Sequence, residues 1–241
     1  MKNLSFGISL LFLVFIGKAQ TTSTLPRPKL VVGIVVDQMR WDYLYRYYDR
    51  YDKGGFKRLL HQGFSCENTM INYSPSYTAP GHAGIYTGSV PSVHGIAGND
   101  WIDNQTGRHW YCVEDTNVVS IGGSKASGMM SPNNLLTTTI TDELRLATNF
   151  KSKVVGISLK DRGSILPAGH LGKAYWLDDS TGNLITSSYY SNELPEWVNQ
   201  LNKRQLINTY LNNPWTTLYP IATYTQSLPD NNPYESSNKK E

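Results

Sequence analysis

The chain has 241 residues, of which 39% are hydrophobic, and its 22 Lys and Arg outweigh 19 Asp and Glu to give a net charge of +3. A chain of this length can bury a substantial core in one large domain or two small ones, and its low charged fraction argues against long disorder. The weak charge, without a cluster of Lys or Arg, argues against nucleic acid as a partner. The two cysteines form no Cys-x-x-Cys pair, which excludes a zinc site built on paired thiolates.

The first 28 residues have the pattern of an export signal and a spacer. Lys2 precedes an apolar run, Ile8 to Ile16, and Gly17-Lys18-Ala19 offers a small-x-small cleavage site. We therefore predict a signal peptide at residues 1–19 and a polar linker at residues 20–28. The apolar run is too short for a confident membrane span, so no stable membrane anchor is expected, with a retained anchor as the alternative. The protein is predicted to be exported, periplasmic or secreted, from a bacterium.

Export would permit a disulfide between Cys66 and Cys112. A disulfide needs the two Cα atoms within a few ångströms of each other, which a sequence does not reveal. The pairing therefore stays open at this stage.

A continuous β-branched run, Leu30 to Val36, opens the predicted fold. Such a run is typical of a strand buried on both faces in a parallel sheet. Asp37 follows directly. It either stands at the edge of the sheet where α/β proteins bind ligands, or it is the N-cap of the next helix. A short helix is predicted over Gly55–His61, ending near Gly63.

In the segment Ser74 to Gly84, S-P-S-Y-T-A-P-G-H-A-G, the hydroxyl of Thr78 lies just before Pro80, a proline that could open a helix. The free N–H groups of a helix N-terminus are a natural binding site for phosphate. A threonine hydroxyl is a poor nucleophile unless a base or a metal ion activates it. With Asp37 as a metal ligand, the pattern indicates a metal-activated hydroxyl and phosphoryl transfer.

The remaining elements predict an α/β fold with a mainly parallel sheet between helices. Ser131-Pro132 is predicted to open an amphipathic helix that buries Leu136, Ile140, Leu144 and Ala147. Val154 to Leu159 is predicted as a second buried strand, with Lys160, Asp161 and Arg162 at its carboxyl end. A hairpin turn is expected at residues 179–183, and a helix over Glu196–Leu211 with Trp197, Val198 and Leu201 facing inward.

Four blocks in this order resemble the alkaline phosphatase superfamily: V-V-D-Q-M-R, S-P-S-Y-T-A-P-G-H, G-N-D-W and S-L-K-D-R-G-S-I-L-P-A-G-H. The chain is most similar to exported bacterial alkaline phosphatases with a threonine nucleophile, which are close to the type I nucleotide pyrophosphatase/phosphodiesterases. The resemblance implies that residues 29–241 are the N-terminal part of an alkaline phosphatase-like catalytic domain, incomplete at its C-terminus.

The resemblance also implies the roles of individual residues. Thr78 would attack phosphorus and become a phosphothreonine, and Asp37 and Thr78 would bind one of two Zn²⁺ ions. Asn99, Lys160 and Arg162 would bind the non-bridging phosphate oxygens. The implied substrates are small-molecule phosphate esters.

Two cations, Lys160 and Arg162, favour a phosphate monoester because its transferable group offers free anionic oxygens where a diester carries a second ester group. The alternatives are a nucleotide pyrophosphatase/phosphodiesterase and a non-catalytic remnant. A sulfatase is excluded because its relatives need a Cys or Ser at the position of Thr78.

Most of the implied zinc ligands are missing from the sequence. The family's other ligands follow later in Asp/His patterns, and the only histidine after Arg162 is His170. His82 and His94 are interpreted as structural residues that brace the nucleophile helix, rather than as ligands. The chain is therefore expected to be the N-terminal half of the enzyme and to be inactive alone.

Overall fold

A computed structural model describes residues 28–228. The predicted signal peptide and nearly all of the linker lie outside the described residues, as does the chain beyond residue 228. The chain divides into two units, whose described parts are residues 28–40 and 41–228. Within the described residues no helix is long and apolar enough to cross a membrane.

The described part of the first unit, residues 28–40, contains no strand. Leu30 and Ile34 are each 78% exposed, so the prediction of a strand buried on both faces is wrong for this structure. A β-branched run becomes a strand only when neighbouring strands supply hydrogen bonds, and none of the described residues pairs with it. Asp37 lies at a turn and is followed by Gln38, whose φ is +59°.

The second unit contains a four-stranded sheet of order β3-β6-β5-β4 and a separate hairpin, β1-β2. The strands are β1 Asp100–Ile102, β2 His109–Tyr111, β3 Ser120–Ile121, β4 Val155–Ser158, β5 Lys173–Asp178 and β6 Asn183–Ser187. β4 pairs with β5 in parallel, whereas the other described pairs are antiparallel. The α/β class is confirmed, although among the described strands the parallel part is confined to one pair.

Helices surround this sheet: α1 Tyr43–Arg46, α2 Gly55–Gln62, α3 Thr78–Thr87, α4 Pro91–His94, α5 Lys125–Gly128, α6 Ile140–Ala147, α7 Asp161–Ala168, α8 Glu196–Lys203 and α9 Leu206–Leu211. Short 3₁₀ helices lie at Tyr48–Arg50 and Ile221–Thr223. The N-cap of α1 is Asp42. Of the two alternatives for Asp37, the N-cap of the next helix is therefore wrong.

The second predicted strand is confirmed at β4, but it is an edge strand that exposes Val155 and Ile157 rather than one buried on both faces. Helix α7 lies against β4 so closely that a Cβ on Gly156 would stand 2.4 Å from the backbone oxygen of Ser164. The predicted hairpin is confirmed between β5 and β6.

The amphipathic helix predicted from Ser131 begins only at Ile140, with Thr139 as its N-cap. The side chain of Thr139 accepts from the backbone N–H of Asp142, whose carboxylate accepts from the backbone N–H of Thr139. This reciprocal capping box fixes the start of the helix. The predicted inward face is wrong, because Leu136 is 73% exposed and Ile140 is also exposed.

The predicted helix over Glu196–Leu211 is divided into α8 and α9 by Gln205, whose φ is +49°. Val198 is fully buried, as predicted. Leu201 packs against the same small cluster, and the largely exposed Trp197 meets the ring of Tyr175 edge to face.

The main core joins α3, α7, the β1-β2 hairpin and the sheet. Its fully buried members include Ala79 and Ala83 of α3, Ile165 and Leu166 of α7, and Trp176 of β5. Burial of these side chains fixes α3 and α7 against one another, and three of the predicted site residues, Thr78, Lys160 and Arg162, stand at the starts of these two helices.

Candidate active site

Thr78 is the first residue of α3, which begins two residues before Pro80, the residue that was expected to open it. The N-cap residue is Tyr77, and its side chain forms no hydrogen bond with the backbone N–H groups of the first turn of α3. Thr78 is half-buried, whereas the next two residues are fully buried. The hydroxyl therefore stands where a helix N-terminus favours an anion.

Asn99 is bound to the start of the same helix. Its side-chain Oδ1 accepts a hydrogen bond of 2.9 Å from the backbone N–H of Ala79, the residue after Thr78. Because the amide oxygen is used in this way, the NH₂ group of Asn99 remains the donating half of the side chain. The backbone oxygen of Asn99 accepts from the N–H of Cys112 at 2.9 Å, which ties it to the β1-β2 hairpin.

Lys160 and Arg162 flank the first residue of α7. Lys160 is the N-cap, exposed, and forms no ion pair with any residue between 28 and 228. Arg162 is half-buried, and its Nη1 donates to the hydroxyl of Tyr111 at 2.5 Å. Both cations thus stand at the N-terminus of a helix that packs against α3.

Asp161 lies between these two cations in sequence, but its carboxylate forms hydrogen bonds with neither of their charged groups. Its Oδ1 accepts from the Tyr111 hydroxyl at 2.6 Å and from the backbone N–H of Arg162 at 2.6 Å. Burial raises the pKa of Asp161, and the hydrogen bonds from Tyr111 and Arg162 oppose that rise. Neither Tyr111 nor Asp161 was assigned a role from the sequence.

His82 and His94 both make contacts that suit a structural role. The Nδ1 of His82, a buried residue, lies 2.7 Å from the backbone oxygen of Thr78, so Nδ1 must be the donor. The Nδ1 of His94 accepts from the N–H of Ile96, and burial lowers the pKa of His94. The contact of His82 is made within α3 itself, as a residue that braces that helix would make.

The cysteines are not bridged: Cys66 is exposed and free, and Cys112 is buried and free. Burial, followed by the charge of Asp161, raises the pKa of the Cys112 thiol to about 12. This thiol therefore remains protonated at physiological pH and is not a nucleophile.

Residues 31–226 match the family described as type I phosphodiesterase / nucleotide pyrophosphatase. The chain belongs to this family. Its similarity to the bacterial alkaline phosphatases is confirmed at the level of individual relatives. It is 60% identical over 217 residues to alkaline phosphatase PhoV of Synechococcus elongatus, covering 90% of this chain and 40% of that protein. It is also 60% identical over 218 residues to a protein of Myroides odoratus named a calcium-transporting ATPase, with the same coverage.

A crystal structure of wild-type alkaline phosphatase PafA matches the fold with a TM-score of 0.84 and 58% identity, covering 86% of this chain and 40% of that one. The chain thus spans about two fifths of the length of these relatives.

The resemblance to the alkaline phosphatases implies zinc as the metal of the complete site. Within residues 28–228 no group of three or more His, Cys, Asp or Glu side chains could hold a metal ion. The resemblance implies only Asp37 and Thr78 as zinc ligands in this chain, whereas protein zinc sites usually have four ligands. This part of the chain alone therefore does not fit a complete zinc site.

Asp37 lies in the first unit and the other four predicted site residues lie in the second. In the second unit, Thr78 lies at the start of α3, where Asn99 accepts from the next residue, and Lys160 and Arg162 lie at the start of α7. The sequence contained no signal for Tyr111, since its contacts with Asp161 and Arg162 span about fifty positions. Asp161, inside the K-D-R block, could have been considered as a partner of its neighbours.

Proposed function

We propose that the complete protein is a phosphate monoester hydrolase of the alkaline phosphatase type, with Thr78 as its nucleophile. The hydrogen bond between Asn99 and the N–H of Ala79 supports this function most strongly, because it brings an amide donor to the residue that follows the nucleophile. The names of PhoV and PafA point to the same activity. In this proposal the activity belongs to the complete protein, and this chain contributes the nucleophile and the phosphate-binding cations.

The proposed reaction has two steps. The Thr78 oxygen loses its proton to solvent and forms a bond to phosphorus, while the bond from phosphorus to the ester oxygen breaks and the released alcohol takes up a proton. Water then attacks the phosphothreonine, frees inorganic phosphate and restores the hydroxyl. Asn99, Lys160 and Arg162 hold the non-bridging oxygens, whose charge must be stabilised through both steps.

We further propose that Asp37 and Thr78 contribute to a two-zinc site whose other ligands lie outside residues 28–228. Bound zinc would supply a lower pKa for the Thr78 hydroxyl. The chain alone is then expected to bind zinc weakly and to turn over little substrate.

A monoester is favoured over a diester because two cations stand at the start of α7. Lys160 has no ion pair with any described residue, and Arg162 makes no ion pair with the adjacent Asp161. A monoester presents anionic oxygens to both cations, whereas a diester presents an esterified oxygen to one of them. The substrates are proposed to be small phosphate esters that the protein meets after export, and the predicted signal peptide supports this location.

The test compares p-nitrophenyl phosphate, bis-p-nitrophenyl phosphate and ATP as substrates of the complete gene product. We expect the monoester to have the highest kcat/KM. Replacing Lys160 or Arg162 by Ala should lower monoester kcat/KM about 100-fold or more, the cost of losing one preorganised donor. The same variants should change diester hydrolysis by much less.

Lys125→Ala is the matched control, because Lys125 is also an exposed lysine at the start of a short helix but lies outside the site. A higher kcat/KM for the diester, lowered equally by both site variants, would favour the phosphodiesterase alternative. A higher kcat/KM for ATP would favour hydrolysis of phosphoanhydrides.

A further inference from the structure

The β1-β2 hairpin connects the two halves of the candidate site. Asn99, directly before β1, is hydrogen-bonded to the start of α3 through Ala79. Tyr111, the last residue of β2, is bonded to Asp161 and Arg162 at the start of α7. The register pairs Asp100 with Tyr111, so both contacts come from the same end of the hairpin.

The direction of the two hydrogen bonds at the Tyr111 hydroxyl follows from the chemistry of its partners. A guanidinium can only donate, so Arg162 Nη1 donates to the hydroxyl oxygen. An ionised carboxylate can only accept, so the hydroxyl donates its single proton to Asp161 Oδ1. Burial, and then the charge of Asp161, raise the pKa of Tyr111 far above its ordinary value, which keeps this proton in place.

The hydroxyl also separates two opposite charges that are adjacent in sequence. Without it, the Arg162 guanidinium could pair directly with the Asp161 carboxylate, and a bidentate pair of this kind would occupy two of its nitrogens. With it, one nitrogen, Nη1, is bound to a neutral group. Among residues 28–228, neither Nε, which is buried, nor Nη2 has a hydrogen-bond partner.

We propose that Tyr111 is a positioning residue of the phosphate site, whose hydroxyl holds the Arg162 guanidinium by Nη1, keeps it from Asp161 and leaves Nη2 for the phosphoryl group. The inference rests on the proposed function, because it assumes that Arg162 binds phosphate. It assigns the Tyr111 hydroxyl a task distinct from that of its ring, which packs against the main core.

Tyr111→Phe separates the two tasks, because it removes the hydroxyl and keeps the ring. In the complete gene product with bound metal, we expect kcat/KM for p-nitrophenyl phosphate to fall about 10- to 100-fold, the range for loss of a hydrogen bond to a charged group. The inhibition constant of inorganic phosphate should rise in parallel. The matched control is Tyr189→Phe, which removes a hydroxyl bonded to the backbone of His170 and should leave kcat/KM unchanged.

A double-mutant cycle distinguishes positioning of Arg162 from a general structural effect. In an Arg162→Ala background, Tyr111→Phe should change kcat/KM less than about twofold, since coupled residues are not additive. If Tyr111→Phe lowers kcat/KM by the same factor with and without Arg162, Tyr111 does not act through Arg162 and the proposal is overturned. An unchanged kcat/KM in Tyr111→Phe, with a large loss in Arg162→Ala, overturns it as well.

A second variant, Asp161→Asn, changes the acceptor of the Tyr111 hydroxyl instead of the hydroxyl itself. It replaces Tyr111→Phe as the test if that variant does not fold. It removes the charge that competes for Arg162 but keeps an oxygen that can accept from Tyr111, so kcat/KM should change by only about threefold or less. A loss as large as that of Arg162→Ala would contradict the proposal. If Arg162→Ala itself leaves kcat/KM unchanged, the proposed function fails instead, and the two failures are thereby distinguished.

Discussion

Replacement of the buried Asp142 is expected to destabilise the protein strongly, although Asp142 lies outside the candidate site. Its Oδ2 accepts from the N–H of Thr139 at 3.0 Å, and its Oδ1 accepts from the N–H of Leu171 at 2.7 Å. His170 lies 3.4 Å from Oδ2. The one carboxylate thus connects the start of α6 to the segment between α7 and β5. Asp142→Asn keeps the shape but turns one acceptor into a donor.

Two physical arguments give a similar loss in the free energy of unfolding for Asp142→Asn. Burial alone would raise the pKa of Asp142, but the hydrogen bonds from His170, Thr139 and Leu171 lower it from 3.8 to about 2. At 1.36 kcal/mol per pKa unit, this shift corresponds to about 2–3 kcal/mol in favour of the ionised carboxylate. Alternatively, the amide of Asn leaves one buried backbone N–H without an acceptor, at a cost of about 1–3 kcal/mol.

The assay is thermal unfolding of the complete gene product near neutral pH. This chain is about two fifths of the length of its relatives, and the Tm shift per kcal/mol falls as the unfolding protein grows, so a loss of about 2–3 kcal/mol should lower Tm of the complete protein by about 2–5 °C. Glu143→Gln is the matched control, because Glu143 is the exposed neighbour in the same first turn, and its Tm should stay within about 1 °C of the unmodified protein. An equally small shift for Asp142→Asn would refute the reasoning about this carboxylate.

Three further predictions concern pH, Asn99 and the chain alone. The hydrogen bond with Asp142 raises the pKa of His170 above 6.5, although burial opposes this rise. The protonated His170 therefore contributes fully to the free energy of unfolding below about pH 6, and this contribution is lost as pH rises through the pKa of His170 in the folded protein. Denaturation with urea between about pH 6 and about pH 9 should show this decline, and His170→Gln should flatten it; an unchanged slope would contradict the assignment. Asn99→Asp keeps an acceptor for the N–H of Ala79 but loses the amide donor, so monoester kcat/KM should fall about 100-fold, as in Asn99→Ala. Activity retained in Asn99→Asp alone would mean that Asn99 only anchors α3. Residues 20–241 expressed alone should hold little zinc by elemental analysis and hydrolyse little p-nitrophenyl phosphate, and robust zinc-dependent hydrolysis would refute the proposed incompleteness of the metal site.

The sequence predicted the local elements well where a single residue type decides the backbone. The β5-β6 hairpin, the short helix α2 and, to within two residues, the start of α3 follow from turn, proline and glycine positions. These signals act within a few residues, and no distant contact has to be known.

The predictions failed where an apolar pattern needed a partner. Leu30–Val36 has the composition of a buried strand, and Leu136 with Ile140 has the spacing of an inward helix face, yet both are exposed in the described residues. Periodicity identifies an apolar face but not what covers it. The role of Tyr111 was missed for the related reason that its partners are close only after folding.

The central claim is that the Thr78 oxygen attacks phosphorus after activation by a cation bound to Asp37. The most direct measurement is acid quenching of the complete gene product during turnover of p-nitrophenyl phosphate, followed by mass spectrometry of the peptide that contains Thr78. We predict one added phosphoryl group on Thr78, absent in Thr78→Ala and strongly reduced in Asp37→Ala. Phosphate trapped on another residue, or full turnover by Thr78→Ala, would contradict the account.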